Sequence, residues 1–253
     1  MEYKDRIYRQ QFSSSLESFS VRYKETDLWI GTDSGSYSCS MKQYALDVVR
    51  QMRTEMDAYL ETDRQYMTSL VPYQPMDGAP LIFQFMSQAS ARTGIGPMSA
   101  VAGAFDRLVA DALCGHFGCS DIVVENGGDI YAKVSHDLDI SVFAGQSPLS
   151  ERVGIHIPAS AFPLGICTSS GTVGPSLSFG KADAMMIVCR DVLLADSYAT
   201  AMANRIQTVS DLQPVIDMCS ENSDILGALA VKDDRMAICG EFELRIFGGQ
   251  HCY

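Results

Sequence analysis

The sequence predicts a layered α+β fold, with helices packed on mainly antiparallel sheets. Residues at helical spacing are concentrated in the first half of the chain, from about 40 to 60 and from 81 to 116. Short apolar or alternating runs, typical of strands, dominate from residue 122 onwards. Because helices and strands are grouped rather than strictly alternating, a doubly wound parallel sheet is disfavoured. The 253 residues suffice for one domain, or for two intertwined halves of about 1–120 and 121–253.

The first half is predicted to start with two strands, 18–23 and 28–30, that form a hairpin. A long helix follows from Ser40, which is suited to cap it, to about Leu60. Helical spacing returns at Leu81. The stretch from Gly94 to Pro97 then opens a helix that reaches about residue 116, since proline is tolerated in a first helical turn.

The second half is predicted to consist mostly of strands. A pair of helices, each with an aspartate near its start, interrupts them. Strands are predicted at 122–125, 130–134, 138–144, 153–157, 164–168, 184–189, 226–232, 235–239 and 242–247, and helices at 191–206 and 211–218.

The composition favours a soluble protein. The sequence carries 19 lysine and arginine residues against 31 aspartate and glutamate residues, a formal net charge of −12. This excess of negative charge disfavours nucleic acid and anionic membranes as partners. The charged first residues are unlike a secretory signal, and no apolar run approaches the roughly 20 residues of a membrane helix. We therefore expect a cytoplasmic protein.

The eight cysteines are scattered in mostly apolar contexts, so buried free thiols are favoured over disulfides. Cys114, His116 and Cys119 form the closest group. Zinc normally requires four ligands at finger-like spacing, and only three are present. The favoured interpretation is therefore a helix end with packed thiols.

The stretch from Gly165 to Ile206 carries the most chemical information. A glycine and hydroxyl segment, Gly165 to Gly171, is followed by Asp196 and Thr200 in a predicted helix. Their four-residue spacing puts a carboxylate and a hydroxyl on one face. Two hard oxygen atoms near a glycine-rich loop suit a magnesium ion that carries substrate phosphates. The structural alternative is that Asp196 caps a helix start and Thr200 bonds back to the preceding turn.

Four segments together resemble the ApbE-like superfamily, whose best-known members are FAD:protein FMN transferases. The nearest match is a branch that lacks some transferase motifs and in which the form Gly-Ile-Gly-Pro-Met is typical. The resemblance covers roughly residues 90–206 and implies a single ApbE-like domain with a T-fold type of α+β architecture. The four segments are Gly94-Ile-Gly-Pro-Met-Ser-Ala-Val-Ala-Gly-Ala104, Glu125-Asn-Gly-Gly-Asp-Ile-Tyr131, Cys167-Thr-Ser-Ser-Gly171 and Ala195-Asp-Ser-Tyr-Ala-Thr200.

The resemblance also implies a site. The transferases bind FAD and magnesium and move FMN onto a threonine of another protein. Asp196 and Thr200 match the positions that supply metal ligands in that family. The residues that match its flavin nucleotide pocket, or that fall near the reacting phosphates, are Asn126, Gly127, Gly128, Asp129, Thr168, Ser169, Ser170 and Gly171.

The first motif predicts an anion site on physical grounds. Gly94, Gly96, Pro97 and Ser99 lie at the opening of a helix whose first amides face outward, and such amides bind anions. The alternative is a plain tight turn before a helix. Similarly, Gly127 and Gly128 could form only a hairpin turn, and residues 168 to 171 a solvated loop after a strand.

The departures from the transferases are specific. The transferases carry a Lys-Gly pair in the first motif, where this chain has Met98-Ser99. They also carry a His-Ile-x-Asp-Pro motif after the Thr-Ser-Gly segment, where residues 174–183 contain no histidine. These differences weaken the case for flavin transfer more than the case for a nucleotide or phosphate pocket.

The predicted function is a magnesium-dependent site for a flavin nucleotide or another phosphorylated ligand, with FMN or phosphoryl-type transfer as the reaction. A non-catalytic nucleotide- or cofactor-binding protein of the same fold is the alternative. A third hypothesis is a structural member that uses its surface for self-association as a homo-oligomer.

Overall fold

The chain forms three layers, with helices on one face of a large sheet and a small sheet on the other. A computed structural model describes residues 16–173 and 178–248. The charged N-terminal residues, and Gly174 to Leu177 within the segment compared with the histidine motif, lie outside the described residues.

Seven strand pairings, all antiparallel, build the large sheet. Its order is β1-β2-β3-β4-β7-β8-β9-β10, and the small sheet has the order β11-β6-β5. The predicted antiparallel α+β class is therefore confirmed. The strands are β1 Glu17–Tyr23, β2 Thr26–Thr32, β3 Ile122–Asn126, β4 Asp129–Lys133, β5 Leu138–Ser141, β6 Val153–Ile157, β7 Leu164–Ser169, β8 Ala184–Cys189, β9 Ile225–Lys232, β10 Arg235–Gly240 and β11 Glu243–Ile246.

The helices follow the predicted spacing closely, apart from one short addition. The helices are α1 Met41–Thr62, α2 Arg64–Thr68, α3 Leu81–Thr93, α4 Val101–Phe117, α5 Val192–Ala203 and α6 Leu212–Ser220, with 3-10 turns at Pro97–Ala100, Ala159–Ala161 and Val209–Asp211. The short helix α2 was not predicted. It forms because the Asp63 side chain accepts the backbone amide of Tyr66 and so caps a turn of its own.

The predicted cap of α1 is wrong. Ser40 precedes the helix, but its side chain makes no capping hydrogen bond. Its hydroxyl instead lies 2.9 Å from the hydroxyl of Ser38. The helix is held by its buried face, which includes Met41, Ala45 and Val49.

Alternation along the strands divides the core in two. Met185 and Ile187 of β8 belong to the cluster under the helices, whereas Met186 and Val188 belong to the cluster under the small sheet. All six residues of β8 are buried, as expected for a strand with both faces covered. Side chains directed to the helical face therefore pack in the same buried cluster as those of α4 and α5.

The described cysteines are all free, with Cys119, Cys167, Cys189 and Cys219 buried. In the same ranges, no helix is both long and apolar enough to cross a membrane.

Candidate functional site

The segments that carry the resemblance meet around α5. The carboxylate of Asp196 lies 2.9 Å from the backbone nitrogen of Gly103 in α4. One turn further on, the hydroxyl of Thr200 lies 3.5 Å from that of Ser169 at the end of β7. The amide of Thr168 donates to the carbonyl of Gly128, at 3.1 Å, and so ties β7 to the turn before β4.

Asp196 does not cap its own helix. That role belongs to Asp191, whose carboxylate accepts the amide of Leu193 at 2.8 Å. Asp196 lies in the middle of α5, is 7% exposed, and accepts an amide from the first turn of α4. The carboxylate thus satisfies a donor that a helix N-terminus leaves without a partner in its own helix.

The close approach of the two helices depends on Gly103. A Cβ atom at Gly103 would lie 2.7 Å from the carbonyl oxygen of Val192 and 3.2 Å from the Cβ of Asp196. Both distances are shorter than ordinary packing allows. The small residues in the first motif therefore serve to bring the backbone of α4 against α5.

Strand alternation decides which predicted hydroxyls reach this place. Cys167 belongs to the cluster under the helices, and its thiol donates to the carbonyl of Val192. Ser169 shares that face and meets Thr200. Thr168 lies two residues after Ile166 in β7 and so shares its face of the strand. Ile166 belongs to the cluster under the small sheet. The structure brings Ser169 to α5, but not the side chain of Thr168.

Three other acids form a group with Asp196. The charges of Asp129 at the start of β4, Glu125 of β3 and Asp196 act on Asp106 of α4, and those of Asp196 and Glu125 act on Asp129. Asp106 and Glu125 are fully buried. Asp196 was predicted as a metal ligand and Asp129 as a residue of the nucleotide pocket, whereas Asp106 was not predicted. A signal was present, because Asp106 lies three residues after Gly103 and so shares its helical face.

Asp106 is the anomalous member of this group. Both of its carboxylate oxygens are buried and, among the described residues, neither has a hydrogen-bond partner. Burial raises the pKa of Asp106 well above its ordinary value, and the charges of Asp129, Glu125 and Asp196 raise it further. A buried polar atom without a partner is rare and costly, and marks a place where another group is expected.

The other acids are perturbed for the same reason. Burial raises the pKa of Asp196 to about 7, although the amides of Gly103 and Ala102 act in the opposite direction. Burial, followed by the charge of Asp196, raises the pKa of Asp129. Strongly shifted carboxyl groups gathered at one place are typical of functional sites.

The residues predicted to form an anion site in the first motif have structural roles. Gly94 ends α3 in the left-handed conformation and donates its amide to Ser90. Gly96 packs on the backbone of Ser69, where a Cβ atom would lie 1.8 Å from a carbonyl oxygen. Pro97 opens a 3-10 turn, and the hydroxyl of Ser99 lies 2.7 Å from that of Ser197 in α5. These residues join α3 and α4 to α5.

The two glycines between β3 and β4 form a tight turn. Gly127 and Gly128 have φ values of 74° and 108°, and Asn126 pairs with Asp129 across the turn. The amide of Gly128 donates to Glu125 at 2.9 Å. The amide of Gly128 is therefore already bonded within the chain. The turn offers the candidate site its shape and the carboxylate of Asp129, rather than this amide.

The segment after β7 is also bonded within the chain. The amide of Gly171 donates to the carbonyl of Ala182. The hydroxyl of Ser170 accepts the amides of Thr172 and Val173. The hydroxyls of Ser169 and Thr200 meet each other, and Thr200 lies one turn after Asp196 on α5.

The donor set fits a hydrated magnesium ion. In the described ranges, no three histidine, cysteine, aspartate or glutamate side chains are placed to hold one metal directly. Magnesium commonly keeps several waters and binds through one or two carboxylates together with substrate phosphates. Asp196 and Thr200 supply hard oxygen atoms of that kind, and the orphaned oxygens of Asp106 lie in the same acidic surroundings.

The chain is similar to proteins of known sequence over most of its length. A family model described as AbpE bacteria matches residues 9–237. A UPF0280 protein from Methanocella arvoryzae is 38% identical over 195 residues, which cover 77% of this chain and 79% of the relative. A UPF0280 protein from Methanosarcina acetivorans is 34% identical over 226 residues, covering 89% and 86%.

Solved structures share the fold at much lower sequence identity. The apo form of the flavinyl transferase ApbE from Pseudomonas stutzeri matches with a TM-score of 0.57 and 13% identity, covering 89% of this chain and 94% of that one. The ApbE protein from Thermotoga maritima matches with a TM-score of 0.54 and 12% identity, covering 89% and 97%. With its match to the family model and to the UPF0280 relatives, the chain belongs to the AbpE bacteria family.

Proposed function

We propose that the protein binds a flavin nucleotide or another phosphorylated ligand through a magnesium ion, and that it catalyses FMN or phosphoryl-type transfer. The single observation that carries this proposal is the placement of Asp196 and Thr200 one turn apart on α5, where the charge of Asp196 acts on Asp129 and the hydroxyl of Thr200 meets that of Ser169. These residues come from segments far apart in the chain. Packing alone does not require two hydroxyls and two carboxylates to gather there.

Electrostatics supports a cation as the partner of this group. Three negative charges, those of Asp129, Glu125 and Asp196, act on Asp106. Carboxylates that are buried together repel one another unless a proton or a cation intervenes. A divalent ion would offset several of these charges at once and attract the anionic phosphates of a ligand.

Each residue has a distinct role in this proposal. Asp196, oriented by the amide of Gly103, and Thr200 would hold the ion. Ser169, beside Thr200, would donate a hydrogen bond to a phosphate oxygen. Asp129 would face the ion from the glycine turn. When bound, magnesium would neutralise the charge that develops on the reacting phosphoryl group.

The relatives with known folds support the flavin nucleotide among phosphorylated ligands. The structure from Pseudomonas stutzeri is that of a flavinyl transferase. The likeness at 13% identity supports the fold, and the choice of ligand rests on the segments of this chain that resemble the motifs of the flavin transferases. The net charge of −12 supports a small ligand rather than nucleic acid.

Binding of FAD to the purified protein tests this proposal. Tryptophan and flavin fluorescence monitor the binding, once in the presence of magnesium and once in the presence of a chelator. Binding is expected only with magnesium, and Asp196→Asn is expected to abolish it. Incubation with a threonine-containing acceptor peptide, analysed by mass spectrometry, should add the mass of FMN. Binding of FAD that is equally strong in the chelator and in Asp196→Asn would contradict the proposal.

A non-catalytic binding protein is the second candidate. The absence of histidine from residues 174–183, and the Met98-Ser99 pair in place of Lys-Gly, favour it. The same experiment separates the two functions. Magnesium-dependent binding without peptide modification would identify a binding protein, whereas modification would identify a transferase.

A further inference from the structure

Asp106 is the acid for which neither the fold nor the proposed ligands provide a partner. Its side chain is fully buried, and in the described part of the chain neither oxygen accepts or donates a hydrogen bond. It stands on the face of α4 that carries Gly103, the face packed against α5 beside Asp196. The charges of Asp129, Glu125 and Asp196 act on it.

We propose that Asp106 positions the cation of this site by accepting a hydrogen bond from water bound to the ion, while Asp196 and Thr200 bind the ion directly. This inference rests on the proposed function and assigns a further residue to its site. It makes Asp106 a positioning residue, since it acts through a water molecule.

Two observations favour contact through water. No three acidic, histidine or cysteine side chains of the described ranges converge on one metal position, so Asp106 does not complete a direct coordination shell. Magnesium gives up its water reluctantly and is commonly held through that water. Carboxylates that bind such water orient the ion and contribute strongly to its affinity.

The buried position of Asp106 explains why the partner should be charged. A lone carboxylate transferred from water to a protein interior loses a large solvation energy unless it is paired. The described side chains around it add negative charge and no compensating donor. A cation with its hydrating water supplies both the missing charge and the missing hydrogen bonds.

The competing account is that Asp106 is a protonated acid buried only for packing. The two accounts predict different responses to the isosteric change Asp106→Asn. If Asp106 only packs, the substitution leaves metal affinity unchanged. If Asp106 positions the ion, the substitution weakens binding of the metal in the absence of any nucleotide.

The experiment measures binding of Mn²⁺ alone to the full chain by electron paramagnetic resonance, and the rise in melting temperature caused by Mg²⁺. Asp106→Asn is expected to weaken Mn²⁺ binding by about 10- to 100-fold and to reduce the rise caused by Mg²⁺. Asp196→Asn is expected to abolish both.

A matched control is Asp63→Asn. Asp63 is also buried, at 2% exposure, but it accepts hydrogen bonds from the hydroxyls of Tyr59 and Tyr73 away from this site. This variant is expected to melt at a lower temperature and to bind Mn²⁺ as the wild type does.

The outcomes separate the two proposals. Wild-type affinity in Asp106→Asn, with binding lost in Asp196→Asn, would overturn the role of Asp106 and leave the proposed function in place. A wild-type protein that binds no divalent cation would overturn both. A structure of the wild type with Mn²⁺ avoids any folding defect of the variant. It should show metal-bound water within hydrogen-bond distance of Asp106, and its absence would also overturn the inference.

Discussion

The Oδ2 atom of Asp196 lies 2.9 Å from the backbone nitrogen of Gly103, so one carboxylate joins α5 to the first turn of α4. This hydrogen bond fixes the position of one carboxylate oxygen of Asp196. The orientation of the other oxygen is set by the position of the side chain on α5. A residue that is proposed to bind a cation is thereby held in place by the fold before the cation arrives. Such pre-orientation reduces the entropy lost on binding.

We predict that Gly103→Ala destabilises the protein by about 1–3 kcal/mol, the usual cost of overpacking. The new Cβ would approach the carbonyl oxygen of Val192 to 2.7 Å, and backbone cannot move away as a flexible side chain can. Urea unfolding followed by circular dichroism measures the change. The shift of α4 should also weaken magnesium binding, because it displaces the amide that orients Asp196.

Gly115→Ala on the same helix is the matched control. A Cβ atom at Gly115 would have nothing within 4 Å. Alanine is favoured over glycine within a helix by roughly 1 kcal/mol, so this variant should be as stable as the wild type or more so. Equal destabilisation of the two variants would show that crowding against α5 is not the cause.

We predict that Thr200→Val lowers the affinity for magnesium and FAD at least about tenfold, equivalent to about 1.4 kcal/mol, with little change in folding. The hydroxyl of Thr200 is part-buried, and its contact with the hydroxyl of Ser169 is long, at 3.5 Å. Its loss therefore costs the fold little but removes a hard oxygen ligand. Isothermal titration calorimetry measures the affinity.

Thr200→Ser restores the hydroxyl without the methyl group and should bind as the wild type does. A valine variant with wild-type affinity would show that Thr200 is not a ligand.

We predict that the metal-free protein loses stability as pH rises from about 4 to about 7. Burial raises the pKa of Asp196 from 3.8 to about 7, so the folded protein keeps a proton that the unfolded chain releases. The stabilisation that this proton contributes is fully present below the pKa of Asp196 in the unfolded chain. It is lost as pH rises through the pKa of Asp196 in the folded protein. At about 1.4 kcal/mol for each pKa unit, the loss is a few kcal/mol.

Urea unfolding of the wild type and of Asp196→Asn at pH 5 and pH 8, with a chelator present, measures this effect. The asparagine variant should depend less on pH, because it cannot ionise at this position. Identical pH dependence in the two proteins would contradict the prediction.

We predict that Asp33→Ala destabilises the protein by about 1–3 kcal/mol at pH 7, through the loss of hydrogen bonds to a charged group. Burial tends to raise the pKa of Asp33. The hydrogen bonds from Ser36, Ser120 and Asp121 prevail and lower it. Asp33 thereby ties the loop after β2 to the start of β3.

The sign of the pH dependence follows from that lowered pKa. The stabilisation is present above the ordinary aspartate value of about 4 and disappears as pH falls further. Denaturation at pH 7 and pH 3 should therefore show a smaller difference between variant and wild type at pH 3. Asp77→Ala, at an exposed loop position, is the control and should have no effect at either pH.

Much of the fold could be predicted because periodicity records which face of an element is buried. The strand predicted at 153–157 is β6 at those bounds, and the helix predicted to open at Leu81 is α3. The order of the strands could not be predicted in the same way, because it depends on contacts between distant residues. The five residues of α2 were missed because so short a helix carries little periodic signal.

The candidate site could be predicted from the sequence where it depends on local spacing. The four-residue spacing of Asp196 and Thr200 defines a helical face, and the structure puts both beside other motif residues. The acid Asp106 could not be identified from composition, since its burial arises from the close packing of α4 on α5. The face of Thr168 likewise depends on the register of β7 in the sheet.

The antiparallel order of the large sheet sets β4 beside β7, although β5 and β6 intervene in sequence. The acids and hydroxyls at their ends therefore become neighbours only when the entire central sheet and both flanking helices have assembled. A ligand that binds there should bind the fully folded protein and not a fragment of it. The ligand should therefore be released when the whole chain unfolds cooperatively, and it should stay bound when only the edge strands of the sheet fray.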